Sequence, residues 1–136
     1  MASELAALAE TAQSTGEPKA SSRPVDLVHL SRYTLGERDL EREVLELFCS
    51  QSVIYLERLR QAQSNKDWID AAHSLKGSAR AVGAWRAAQA AERAEALSVG
   101  ALSGDALAQS RAARISEIES SLREAEAYIV SLLNDR

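Results

Sequence analysis

After Pro24 the chain contains no proline. Proline inside a helix removes a backbone donor and clashes with the preceding turn, so its absence leaves room for long uninterrupted helices. The apolar residues fall in the matching pattern. Ile115, Ile118, Leu122, Ala125, Ile129 and Leu132 recur at threes and fours, which is the seam of a bundle helix. Hydrophobic residues make up 46% of the chain but aromatics only 4%, so the core must be mostly alanine and leucine, both strong helix formers. A length of 136 residues suits one compact domain with at most short extensions.

Breaks in this pattern divide the chain. Residues 1–13 favour helix by composition but lack a long apolar face. Residues 14–24 hold Gly16, Pro18 and Pro24 among small polar residues and read as a linker. The expected division is therefore an extension over 1–24, flexible or marginally helical, and a folded domain over 25–136. Asp26 is a candidate N-cap for a short helix that ends at Leu35-Gly36. A second helix is expected from about Glu37 to Gln63, with Leu40, Val44, Leu47, Phe48, Ile54, Tyr55 and Leu59 as its apolar positions. Ser64-Asn65-Lys66 reads as a turn. A third helix starts near Asp67 and carries Trp68, Ile69, Ala72, Leu75 and Ala79. Gly83 interrupts it, and an alanine-dense fourth helix runs from Ala84 to about Val99. Gly100 to Gly104 is the next break, before the last helix. Short connections place consecutive helices antiparallel. The fold class predicted is all-α: an up-down-up-down antiparallel four-helix bundle with a short additional N-terminal helix. Such a bundle, complete in one chain, favours a monomer.

Charge and composition narrow the functional classes. The net charge is −4 with both signs interspersed, which argues against a nucleic-acid binder and, weakly, against an anionic membrane surface. No segment resembles a transmembrane span or a secretory signal. The single cysteine, Cys49, cannot form an internal disulfide and reads as a small hydrophobe in a reduced, cytoplasmic setting. Two histidines and one cysteine without helical pairing make no metal site. There is no glycine-rich phosphate loop before a helix, hence no support for ATP binding or kinase activity, and no serine elbow.

The informative stretch is residues 71–84, AAHSLKGSARAVGA. On a helical wheel Trp68, Ala72, Leu75 and Ala79 form a buried stripe. His73, Lys76, Gly77 and Arg80 lie together on one flank of it, on successive turns. A glycine within a helix costs about 1 kcal/mol relative to alanine. Gly77 either leaves bare backbone beside the imidazole, open to a phosphoryl group and a partner, or serves a close helix contact. The residues alone leave both readings open. An ammonium at Lys76 would offset phosphoryl charge beside His73. His29 has no comparable company, and no role is assigned to it.

His73-Ser74-Leu75-Lys76-Gly77-Ser78-Ala79, followed by Gly83-Ala84, resembles the signature of histidine phosphotransfer domains of bacterial two-component phosphorelays. The resemblance spans roughly 26–134 in helix order and length. It implies a phosphoryl acceptor at His73, with Lys76 beside it and Gly77, Ser78 and Arg80 serving phosphoryl access and binding. The family often carries an acidic or amide residue on the neighbouring helix, and Glu95 falls at that spacing. Ala87 and Ala94 stand where the family often has larger apolar residues.

The resemblance further implies a phosphorelay intermediate without kinase or ATP-binding activity of its own. It would accept a phosphoryl group on His73 from a receiver aspartate and pass it to another receiver. Partners would be the receiver domains of response regulators and of hybrid histidine kinases. No cofactor is expected on this chain, because the family leaves Mg²⁺ to the receiver. A Glu95 carboxylate accepting from one ring N–H would fix the tautomer and enrich the attacking nitrogen. Leu27, Leu30, Gln51 and Ile54 are the candidate docking residues beside that flank. A catalytically silent interaction bundle is the alternative, with His73, Lys76 and Gly77 incidental. A phosphotransfer module detached from a kinase would keep the same chemistry. A sensor-kinase dimerisation module usually follows its histidine with an acidic residue and a later proline, whereas Ser74 follows His73 here.

Overall fold

Side-chain caps set two of the helix starts and a glycine cap sets one helix end. The computed structural model describes residues 23–97 and 102–135, and these form five helices and no strand. They are α1 (Leu27–Thr34), α2 (Arg38–Arg60), α3 (Asn65–Val82), α4 (Trp85–Glu95) and α5 (Gly104–Asn134). Asp26 caps α1, its Oδ1 accepting from the His29 amide at 3.1 Å. Ser64 caps α3 in the same way through the Asp67 amide at 3.0 Å. Each cap satisfies one of the amides that a helix start leaves without a partner. At the other end of α3, Gly83 adopts a left-handed φ of 77°. The amides of Gly83 and Ala84 return to the carbonyls of Arg80 and Ala79 at 3.2 and 2.8 Å, the paired bonds of a Schellman ending.

Helices α2 to α5 close a ring in which α2 packs on α3 and α5, and α4 packs on α3 and α5. Partners run in opposite order where α5 meets α2 and α4. Arg42 reaches the Leu133 carbonyl while Arg60 pairs with Glu119. Arg86 pairs with Glu124 while Arg93 pairs with Glu117. α5 is therefore antiparallel to both α2 and α4, in keeping with an up-down-up-down bundle. Trp68, Phe48, Leu45, Leu59, Leu75, Ile118 and Ile129 are fully buried. The alanines of α4 that face inward, Ala87, Ala88, Ala90, Ala91 and Ala94, are buried as well. With so little side chain on α4, the two tryptophans supply much of the volume near it: Trp68 is wholly buried and Trp85 nearly so.

α1 lies outside the ring, against α2 and α3. The Asp26 amide donates to the Gly83 carbonyl at 2.9 Å, and the Asp26 Oδ2 accepts from the Trp85 indole at 3.1 Å. These bonds seat α1 over the C-terminal half of α3. Gly77 and Ala81 point roughly opposite to the core stripe on a helical wheel, yet both are buried. The helix packed over that half of α3 is α1.

Several sequence expectations need correction. Residues 65 and 66 are helical and not a turn, because the Ser64 cap starts α3 two residues earlier than Asp67. α2 ends at Arg60, short of Gln63. Its buried positions include Leu45, Ser52 and Leu56, while Ile54 is 50% exposed; the true stripe is rotated away from Ile54. Gly104 begins α5 rather than ending a break. α4 ends at Glu95, and Val99 and Gly100 lie outside the described residues, as do 1–22 of the expected extension. No helix among the described residues is long and apolar enough to cross a membrane.

Candidate functional site

His73 sits in the middle of α3 with 59% of its side chain exposed. Its Nδ1 lies 2.8 Å from Glu95 Oε2, on the last residue of α4. The other oxygen, Oε1, accepts from Lys76 Nζ at 2.5 Å. One carboxylate thus joins the histidine to a lysine one turn further along the same helix. Burial pushes the Glu95 carboxyl up, but the hydrogen bonds and charges of Lys76 and His73 outweigh it and hold it below its ordinary value. Near neutral pH Glu95 is ionised and can only accept. In the neutral form of the ring, Nδ1 then carries the proton and Nε2 keeps its lone pair. The arrangement presents a nucleophilic nitrogen on an exposed ring whose opposite edge is held by an anion.

Other residues proposed from the sequence stand differently. Lys76 is not an open surface ammonium: only 13% of its side chain is exposed, and it is committed to Glu95. Arg80 is 16% exposed and pairs with Glu92 at 3.7 Å, a turn along α3 from Lys76. Gly77 and Ser78 are both buried. Of the two readings of Gly77, its burial disfavours bare backbone left open beside the imidazole. Ser78, 6% exposed, is not open at the surface that His73 presents. Leu30 is a core residue with no exposed surface, which removes it from the docking candidates. Leu27 is half-buried against the core. Gln51 is half-buried and Ile54 half-exposed.

The remaining titratable groups do different work. His29 is 4% exposed, between the rings of Tyr33 and Trp85 at 5.2 and 4.9 Å. Its Nε2 has no hydrogen-bond partner, and burial lowers its pKa. Burial, with Glu126 and Glu46 nearby, pushes the Cys49 thiol up to about 11, leaving it protonated and inert. Among the described residues no cluster of three or more His, Cys, Asp or Glu side chains could hold a metal ion.

Sequence reasoning missed three features. Val28 and Leu35 are the most exposed large apolar side chains of the α1 region, at 70% and 86%. Leu35 is also the one non-glycine residue with positive φ among those described, at 55°. The Trp68 indole donates to the Ala94 carbonyl at 2.7 Å. Left-handed geometry and contacts between elements leave no periodic signal, although a leucine immediately before Gly36 was a hint of a capping position.

The described residues thus form a helical bundle with an exposed histidine backed by a carboxylate. The family model for the Hpt domain matches residues 43–128, more than half of the chain. The chain belongs to the Hpt domain family, whose work is histidine phosphotransfer in phosphorelays, in contact with receiver domains. No curated protein and no solved structure gives a significant match.

Proposed function

We propose that His73 is the phosphoryl acceptor of this Hpt domain, taking the group from the aspartyl phosphate of one receiver and passing it to the aspartate of another. The single observation that carries this reading is the exposed imidazole with Nδ1 against Glu95. In the first step Nε2 attacks phosphorus, the acyl P–O bond breaks, and the receiver's carboxylate leaves. Nδ1 keeps its proton, so the phosphorylated ring is a cation, and the Glu95 carboxylate offsets that charge as it develops. Lys76 holds Glu95 in place, and its remaining N–H donors reach toward the transferred oxygens. Return transfer reverses these steps on a second receiver. Any Mg²⁺ that assists belongs to the receiver's aspartate pocket. Docking uses the surface around His73, with Val28, Leu35 and Ile54 as its exposed apolar contacts and Leu27 and Gln51 at its edge.

The test is His73→Gln against a panel of phosphorylated receivers. Glutamine suits a helix, and at an exposed site the change stays within about 0.5 kcal/mol. The variant should fold and accept no label. Acid-labile label on His73→Gln would mean that the wrong histidine has been chosen. Wild type that takes no label from any receiver would favour a silent interaction bundle.

A further inference from the structure

Arg111 of α5 holds an unusual position. Its guanidinium carbon lies 5.0 Å from the centre of the Trp68 ring, and its Nε is buried with no hydrogen-bond partner. A buried arginine nitrogen without an acceptor is unfavourable, so another attraction must hold the group there. The π face of the indole supplies it. Trp68 is itself wholly buried, and its one polar atom, Nε1, donates to the Ala94 carbonyl at 2.7 Å.

Ala94 immediately precedes Glu95, at the C-terminal end of α4. Around that end, Glu92, Arg93 and Glu95 pair with Arg80, Glu117 and Lys76 through side chains, while the Trp68 indole holds the backbone itself. α4 is only 11 residues long, its N-cap Ala84 makes no side-chain hydrogen bond, and its buried face is almost all alanine. The Ala94 carbonyl also accepts from the Leu97 amide at 3.2 Å, so it is the point where helix end, following turn and α3 meet. A cation over the ring withdraws electron density and strengthens the indole N–H as a donor.

We propose that Trp68 and Arg111 are positioning residues: together they hold the Ala94 carbonyl and so aim the Glu95 carboxylate at His73 Nδ1. This inference rests on the reading of His73 as acceptor and Glu95 as its orienting partner. Arg111 acts through the indole, since the hydrogen-bond partners of the Glu95 carboxylate are Lys76 and His73.

The experiment uses the full chain and phosphoramidate, a small phosphoryl donor that needs no receiver docking. Two quantities are measured: the rate of phosphohistidine formation, and the ¹⁵N spectrum of the His73 ring, which reports the fraction protonated on Nδ1. Trp68→Phe keeps a ring but loses the N–H. Arg111→Met keeps the stem and loses the cation, while Arg111→Lys restores a cation. Glu95→Ala is the reference. Trp68→Phe should slow phosphorylation by about tenfold and move the tautomer ratio in the same direction as Glu95→Ala. Arg111→Met should do so more weakly, with recovery in Arg111→Lys. The double variant Trp68→Phe/Glu95→Ala should be no slower than Glu95→Ala alone. If Trp68 is too central for its variant to fold, the Arg111 pair carries the same test. A normal rate and normal His73 spectrum in Trp68→Phe or Arg111→Met, alongside a perturbed Glu95→Ala, would overturn this inference and leave the reading of Glu95 intact. Glu95→Ala with both quantities unchanged would overturn that reading and this inference with it.

Discussion

The amide of Asp26 donates to the carbonyl of Gly83 across 2.9 Å, linking the start of α1 to the corner between α3 and α4. There is no spare space at this crossing. A Cβ on Gly83 would lie 2.8 Å from both the Asp26 Cβ and the Asp26 carbonyl oxygen. The left-handed φ of 77° disfavours any side chain in addition. Asp26 therefore has three tasks: it caps α1, accepts from Trp85, and binds Gly83.

Gly83→Ala should consequently do more than strain one turn. The expected loss is about 2–4 kcal/mol, combining left-handed strain with overpacking against Asp26. Urea unfolding measures it. A loss below about 1 kcal/mol would show that α1 moves aside freely and that the crossing does not fix its seat.

The helices themselves were legible in the sequence because periodicity reports burial. The α5 seam of Ile118, Leu122, Ala125 and Ile129 is buried as its spacing predicted. So is the α3 stripe of Trp68, Ala72, Leu75 and Ala79. Counting from His73 singled out Glu95, and the two side chains meet. What periodicity cannot report is a helix packed from outside the ring. Leu30 of α1, which looked available for docking, is buried, and so is Gly77, for which spacing alone left two readings open. The indole bond of Trp68 to a backbone carbonyl was equally invisible, since carbonyls leave no mark in a sequence.

Acid should act on the Glu95 bridge in a defined direction. Its folded pKa lies below the ordinary carboxylate value. Such a group contributes its full stability above the unfolded pKa and loses it as pH falls through the folded one. Glu95→Gln also leaves the mostly buried Lys76 ammonium without its anion. The variant should be less stable than wild type near pH 7, and the gap should narrow below about pH 4.5. Urea midpoints across that range test this. A gap that stays constant into acid would mean the bridge adds nothing through its charge.

Leu35 separates stability from docking. It is 86% exposed and holds a left-handed φ of 55° without being glycine. Leu35→Gly relieves that strain and loses almost no burial, so the fold should gain roughly 0.5–1 kcal/mol. If Leu35 contacts receivers, transfer from a phosphorylated receiver should weaken while acceptance from phosphoramidate stays the same. Equal receiver transfer in the more stable variant would remove Leu35 from the docking surface.

His29 should set a second pH dependence that has nothing to do with transfer. Burial is the main cause of its lowered pKa, and the Arg32 charge adds to it; the Asp26 charge and the backbone at Arg80 oppose them. Tyr33 and Trp85 bracket the ring and bring no charge. The folded protein therefore keeps His29 neutral at a pH where the unfolded chain already binds a proton. By linkage the contribution is complete above the ordinary histidine value of 6.5 and declines as pH falls through the lower folded pKa. His29→Gln removes that titration, so the fall in stability between about pH 7 and pH 5 should flatten. The variant should also be destabilised by about 1–2 kcal/mol at neutral pH, because a buried polar side chain must find new partners between Tyr33 and Trp85. Phosphoryl acceptance at neutral pH should match wild type. An unchanged pH profile of unfolding in His29→Gln would show that His29 does not titrate within the fold, and lost acceptance would reveal a part for this histidine in transfer.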